Sequence, residues 1–234
     1  MNFIIDNILE EIKNTDLLVK DTPRYFPKAL KNHQDFLSWN TVNVCLNNPL
    51  FEFEIIGSNG VRLDIPKVSV PWIKTPVNDK EFIAQKISEG YGFVILNYGL
   101  YNKNTQLLLS EIEQTFNVDC DIHVYAGLDN LSKSFEVHED FTANFIIQIE
   151  GETRWKVSND RGLSLISIFN NSQNKPSLDN IKFDLDIVLE PGDMLYIPQR
   201  CYHVAIPDSK RLSMSVACWP VDRNIPRKFF EITT

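Results

Sequence analysis

A chain of 234 residues, 43% hydrophobic and 23% charged, has the composition of an ordinary globular protein and the length to bury a full core. The formal net charge of −8 counts against a nucleic-acid-binding face, which needs clustered Lys and Arg, and no apolar run approaches the length of a membrane span. The four cysteines (Cys45, Cys120, Cys201 and Cys218) form no C-x-x-C pair, as expected of reduced, mostly buried thiols in a cytoplasmic protein.

In chain order, "MNFIIDNILEEIKN" lacks the basic region and small-residue cleavage site of a secretory signal. Ile5, Ile8, Leu9 and Ile12 fall on one stripe, which predicts an amphipathic helix packed on its own barrel or on a second subunit, leaving a homodimer open. "SWNTVNVCLN" offers Ser38 as an N-cap, with Trp39, Val42 and Leu46 at helical spacing. "FEFEIIG", the Ser58-Asn59-Gly60 turn and "VRLDIP" alternate as a hairpin does. "DKEFIAQKISEG" reads as a helix closed by Gly90, followed by the strand "GFVILNY". Asn104 to Phe116 predicts a further helix, with Leu108, Ile112 and Phe116 on one face.

From Val118 the character changes. "DCDIHVYAG", "NFIIQIEG", "TRWKVS", "FDLDIVLEPGD", "MLYIPQR" and "RLSMSVACW" are short strands separated by turns, with a sharp reversal at Pro191-Gly192-Asp193. This predicts a mainly β sandwich or barrel with flanking helices. The expected organisation is a single domain over residues 1–234: a mixed helical and β part (1–117), a barrel core (118–220) and a tail (221–234).

The chemistry concentrates in "SFEVHEDFTANFIIQIEGETRWKV", Ser134 to Val157. Charged groups at the mouth of a buried strand are costly unless something pairs with them. His138 and Asp140 are two apart, so on a strand both point inward while Glu139 points away, and Asn144, Ile146 and Gln148 continue the inner face if the strand is unbroken. A third ligand from a distant strand completes a two-histidine, one-carboxylate facial set with open coordination positions. His203 in "PQRCYHVAIP" is well placed for it; alone, it is also what a hydrogen-bonded core histidine looks like. Of the others, His33 lies in the polar N-terminal region and His123 on an earlier strand.

The ordered series "HED", "FIIQ", "GETRW" and "PGDMLYIPQRCYH" resembles the JmjC-type, cupin-fold oxygenases dependent on iron(II) and 2-oxoglutarate, in the bacterial cupin-like branch akin to the ribosomal-protein hydroxylases. The similarity spans roughly residues 35 to 219, with "FLSWNTVNVCLN" at its start. It implies a double-stranded β-helix (jelly-roll, cupin) barrel, His138, Asp140 and His203 as iron ligands, and Asn144 as a contact to the metal-proximal carboxylate of 2-oxoglutarate. The activity implied consumes O2 and 2-oxoglutarate, releases succinate and CO2, and hydroxylates a C–H bond of a protein or peptide side chain or an amino-acid-like small molecule. Nucleic acid and membrane are not expected partners.

One position departs from the family. Where a lysine or arginine usually binds the distal carboxylate, this chain has Thr153, and its neighbour Arg154 shares the solvated face with Lys156 and Ser158. Arg211 is the alternative, since Arg211, Ser213, Ser215 and Ala217 share one small, polar face suited to a pocket; the competing reading is a surface arginine in a turn beside Lys210. Tyr125 or His123 either hydrogen-bonds cosubstrate or substrate, or packs in the barrel wall. Trp155 and Trp219 are expected in the core. The rival functions are a non-catalytic metal-binding cupin module, with Thr153 marking lost cosubstrate binding, and a cosubstrate-independent cupin enzyme.

Overall fold

Strand alternation decides the layers. Along Arg211–Pro220 in the computed structural model, Leu212, Met214, Val216 and Cys218 are fully buried on one face, and the other carries Arg211, Ser213, Ser215 and Ala217. Val118–Gly127 alternates in the same way, with Cys120, Ile122 and Val124 buried and Asp119, Asp121, His123 and Tyr125 half-buried. A strand with one apolar and one polar face belongs between a core and a lined cavity. The structure describes residues 22–57, 60–101, 103–129, 132, 134–161 and 181–220. The stripe of Ile5, Ile8, Leu9 and Ile12, the Ser58-Asn59 half of the hairpin turn and the tail 221–234 lie outside these.

Among the described residues the strands are β1 (Arg24–Phe26), β2 (Glu52–Ile56), β3 (Arg62–Leu63), β4 (Lys67–Val68), β5 (Val77–Asn78), β6 (Gly92–Leu96) and β7 (Val118–Gly127). They continue with β8 (Ala143–Glu150), β9 (Thr153–Arg161), β10 (Leu185–Leu189), β11 (Met194–Ile197), β12 (Cys201–Pro207) and β13 (Arg211–Pro220). The large sheet runs β1-β11-β8-β13-β7-β6-β2-β3, a small sheet runs β10-β9-β12, and β4 and β5 form a separate ribbon, with every pairing antiparallel. Strands from the first 117 residues therefore extend the barrel sheet at both edges.

Three helices cover the apolar face of the large sheet: α1 (Trp39–Asn47), α2 (Lys80–Ser88) and α3 (Lys103–Phe116). Ser38 starts α1 with a reciprocal cap, its hydroxyl accepting from the Thr41 N–H while Thr41 Oγ1 accepts from the Ser38 N–H; such a cap stabilises a helix by about 1 kcal/mol. Asp79 caps α2 through the N–H groups of Glu81 and Phe82, and Gly90 ends it at φ +89°, a left-handed turn where a side chain would be strained. Leu108, Leu109 and Ile112 of α3 join the main core. A second cluster draws on both sheets, with Ile146, Leu195 and Ile197 meeting Trp155, Val157, Leu189 and Ala205, so the two sheets enclose the interior of a jelly-roll barrel. All four cysteines are buried free thiols.

The Pro-Gly-Asp turn ties the N-terminal part to this barrel. Buried Asp193 accepts hydrogen bonds from the Tyr25 hydroxyl (2.8 Å), the Lys28 N–H (2.9 Å) and the Glu190 N–H (2.9 Å). Those bonds hold β1 on β11, the outermost pair of the large sheet.

Candidate metal centre and pocket

His138 reaches the barrel through a backbone bridge to His203 on β12: the His138 N–H donates to the His203 carbonyl (3.1 Å) and the His203 N–H to that of His138 (2.8 Å). The condition of an unbroken strand from His138 to Gln148 is not met: residues 139–142 leave the ladder and β8 begins at Ala143. The physical reason is that His138 pairs with the small sheet and β8 with the large one, so the chain crosses between sheets here. Inner parity survives the crossing. Asp140 and Ile146 still line the pocket, and Asn144 still meets Asp140.

His138 Nε2 lies 3.8 Å from Asp140 Oδ1, and His203 Nε2 lies 3.5 Å from Asp140 Oδ2. Ligand atoms of all three residues fall within 4.8 Å of one another. Both Nδ1 atoms are engaged elsewhere, His138 with the Glu136 carbonyl (2.7 Å) and His203 with the Cys201 carbonyl (2.9 Å). A carbonyl only accepts, so each Nδ1 carries a proton, and Nε2 is the atom each ring turns toward Asp140 and the one a metal ion would take in exchange for a proton. Burial pushes Asp140 up, but the hydrogen bond and charge of His203, then His138 and Asn144, outweigh it and bring the carboxyl down to about 2. Two imidazoles of fixed tautomer and one carboxylate held ionised fit a divalent transition-metal ion bound on one octahedral face.

The pocket extends from these three residues to Tyr125, Arg211, Ser213, Ser215 and Trp155, and with its open mouth holds about 400 Å³ of empty space. Arg211 is 2% exposed, its guanidinium has no ion pair or hydrogen bond among the described residues, and its Nε is buried without an acceptor. Burial pulls its guanidinium down to about 10, with Tyr125 acting in the opposite direction, so it remains a cation at neutral pH. A buried cation without an anion is unfavourable unless a ligand supplies one. The turn-exposed reading of Arg211 is thereby excluded.

Of the other expected residues, Tyr125 and Ser213 line the pocket. Asn144 is buried and its amide is committed to protein groups: Nδ2 donates to Asp140 Oδ2 (3.0 Å), and Oδ1 accepts from Ser215 Oγ (3.3 Å). Thr153 is buried and is not among the residues that line the pocket; its hydroxyl has no partner among the described residues. Arg154 is on the solvated face, paired with Asp186 at 2.7 Å. His123 sits outside the pocket lining, 3.7 Å from Asp121, and His33 lies near the Pro-Gly-Asp turn.

The core expectation holds for Trp155 and needs correction for Trp219. Trp155 belongs to the second core cluster and also walls the pocket, its ring 6.1 Å from that of His203. Trp219 is 48% exposed, because β8 begins at Ala143 opposite Cys218 and leaves Trp219 without a neighbour on that flank. Sequence reasoning missed Phe135, which stands edge-on to both His138 (5.6 Å) and Tyr125 (6.4 Å). Its one available signal was an aromatic three residues before the first ligand.

An antiparallel jelly roll enclosing a two-histidine, one-carboxylate cluster defines the class. The family description "JmjC domain" matches residues 100–223, and the chain belongs to that family. It is 29% identical over 129 residues to a bifunctional lysine-specific demethylase and histidyl-hydroxylase NO66 of Drosophila grimshawi, covering 55% of this chain and 18% of that protein. It is also 29% identical over 136 residues to ribosomal oxygenase 1 of Danio rerio, covering 56% of this chain and 24% of that protein. The match thus spans about a fifth of these relatives' length. The ribosomal oxygenase YcfD of Escherichia coli shares the fold, at a TM-score of 0.58 and 17% identity over 91% of this chain and 51% of that one, in a structure with cobalt and succinic acid. A second YcfD structure, with cobalt and 2-oxoglutarate, superposes at 0.58 and 16% identity, with the same coverage. Among the described residues, no helix is long and apolar enough to cross a membrane.

Proposed function

We propose that this chain is an iron(II)- and 2-oxoglutarate-dependent dioxygenase that hydroxylates a C–H bond of a protein or peptide side chain. One observation carries the reading: a single pocket holds both the open His138–Asp140–His203 set and the anion-free guanidinium of Arg211. A metal-chelating dicarboxylate answers both needs at once. When bound, the metal with 2-oxoglutarate and O2 supplies the oxidising power to place one oxygen atom on the substrate and the other in succinate, with release of CO2.

The chain's own residues bind, orient and shield. His138, Asp140 and His203 hold the metal, and Asn144 keeps Asp140 turned toward it through the 3.0 Å hydrogen bond. Arg211 pairs with the remote carboxylate of the cosubstrate in place of a basic residue at Thr153, a planar fork suited to bidentate contact. Ser213 and the Tyr125 hydroxyl are donors along the same wall. Trp155 and Ile146 keep the interior apolar and limit water. A protein-side-chain substrate follows the names of the relatives, and a free amino acid is the small-molecule variant of the same chemistry.

The second reading, a metal-binding cupin module without turnover, draws on Thr153. Anaerobic protein with iron(II) and 2-oxoglutarate separates the two. The oxygenase develops a weak visible charge-transfer band at roughly 500–530 nm and forms succinate when O2 and basic peptides are supplied. Iron binding with neither band nor succinate selects the silent module.

A further inference from the structure

The loop that carries Asp140 is outside any strand, and one residue grips it. Arg200 donates its backbone N–H to the Asp140 carbonyl (2.9 Å), sets Nε 2.9 Å from Glu139 Oε2, and lays its guanidinium over the Phe141 ring at 4.9 Å from the centroid. Three consecutive residues centred on the carboxylate are thus held by the backbone N–H and the guanidinium of one arginine. The ion pair is mostly shielded, with side-chain exposures of 14% for Arg200 and 18% for Glu139, so solvent screening weakens it less than it would an exposed pair. Neighbouring Gln199 adds a hydrogen bond from Nε2 to the Phe141 carbonyl (2.5 Å).

The backbone at Arg200 is left-handed, with φ +69°, a conformation that glycine adopts freely and arginine does not. A turn selected only for backbone shape would carry glycine or asparagine here. An arginine stands here despite that penalty, and its ion pair with Glu139 and its contact with the Phe141 ring both go to the segment around Asp140.

We propose that Arg200, through Glu139, is a positioning residue for the metal centre: it fixes the Asp140 loop so that the carboxylate is preset for the ion. Neither residue is among those that line the pocket. The inference rests on the metal-site reading above, and groups that orient ligands in this way typically alter metal affinity 10- to 100-fold.

The test is titration of cobalt(II) into metal-free protein, followed by visible absorption, alongside the melting temperature of the same metal-free samples. Arg200→Gly is the informative variant because it removes the clamp while relieving the left-handed strain. The expected result is cobalt binding weakened about 10- to 100-fold with a melting temperature no more than a few degrees below wild type, relieved strain offsetting part of the lost ion pair; Glu139→Gln weakens it in the same direction by a smaller factor, and Arg200→Lys restores part of the loss. Cobalt affinity of Arg200→Gly within about twofold of wild type, or a loss matched by an equal fall in Glu139→Gln and Arg200→Lys melting temperatures, overturns the positioning role. Wild-type protein that takes up no cobalt overturns the metal-site reading itself.

Discussion

Replacing Arg211 by methionine separates a ligand-binding cation from a structural one, because the two roles predict opposite signs. Without ligand, the 2%-exposed guanidinium is a buried charge lacking an anion among the described residues. Exchanging a buried ion for an apolar side chain of similar size is neutral or stabilising by about 1–4 kcal/mol. In a protein of this size each kcal/mol moves the melting temperature by about 2–4 °C, so metal-free, ligand-free Arg211→Met melts level with wild type or several degrees above it. With ligand the order reverses. Wild type at 100 times the dissociation constant of 2-oxoglutarate gains about 2.7 kcal/mol, whereas the variant has lost a buried, charge-assisted contact worth about 3–5 kcal/mol. That loss is at least a 100-fold weaker affinity, which erases the shift at the same concentration. Differential scanning fluorimetry with cobalt(II), with and without 2-oxoglutarate, reads both arms. An Arg211→Met protein that melts well below wild type without ligand, or that keeps the full 2-oxoglutarate shift, refutes the reasoning.

His138→Ala removes one proposed metal ligand while its backbone bridge to His203 persists, so cobalt absorption and succinate formation disappear with a change in metal-free melting temperature of only a few degrees; retained stoichiometric cobalt binding excludes it as a ligand. Gly151 sits at φ +70°, and a Cβ there would lie 1.9 Å from the Lys210 carbonyl oxygen. Gly151→Ala therefore pushes the strand entrance at Arg211, costing about 2–4 kcal/mol by denaturant melt and weakening 2-oxoglutarate binding by calorimetry; unaltered stability would show that this turn relaxes freely. Burial works to raise Asp193, but hydrogen bonds from Lys28, Glu190 and Tyr25, with the charge of Lys28, hold it below the usual carboxylate value. A depressed folded-state pKa stabilises fully above the unfolded value of about 3.9 and is lost as pH falls through the folded value. Asp193→Asn therefore flattens the acid limb of melting temperature against pH, and slopes equal to wild type below about pH 4 would exclude the linkage.

The long strands were legible because alternation over ten residues leaves one assignment. β13 and β7 each separate a buried apolar row from a polar one, and the spacing of His138 and Asp140 carried their convergence with His203. What was not legible depends on where neighbouring strands begin and end. β1, β4 and β5 have two or three residues each, too few for a period to show. The crossing at 139–142 follows from His138 pairing with a strand more than sixty residues later, and the exposure of Trp219 from the point at which β8 starts. Arg200 has no local pattern at all, since its partners are fixed only once β12 meets the ligand loop.

The exchange at Thr153 and Arg211 is a case where the sequence showed the anomaly and the sheet supplies its reason. A guanidinium fits on an inner strand face only where its neighbours leave room. On the β8 side the ladder ends at Leu212 opposite Glu150, so no β8 residue is paired with Arg211. Ser213 and Ser215, next along the same face, are small. With that cation entering from β13, a second one at position 153 on β9 would add like charge to the same dry interior, at a cost no single dicarboxylate offsets. Threonine at 153 and arginine at 211 are thus compatible parts of the proposed arrangement, in which the guanidinium lining the pocket comes from β13.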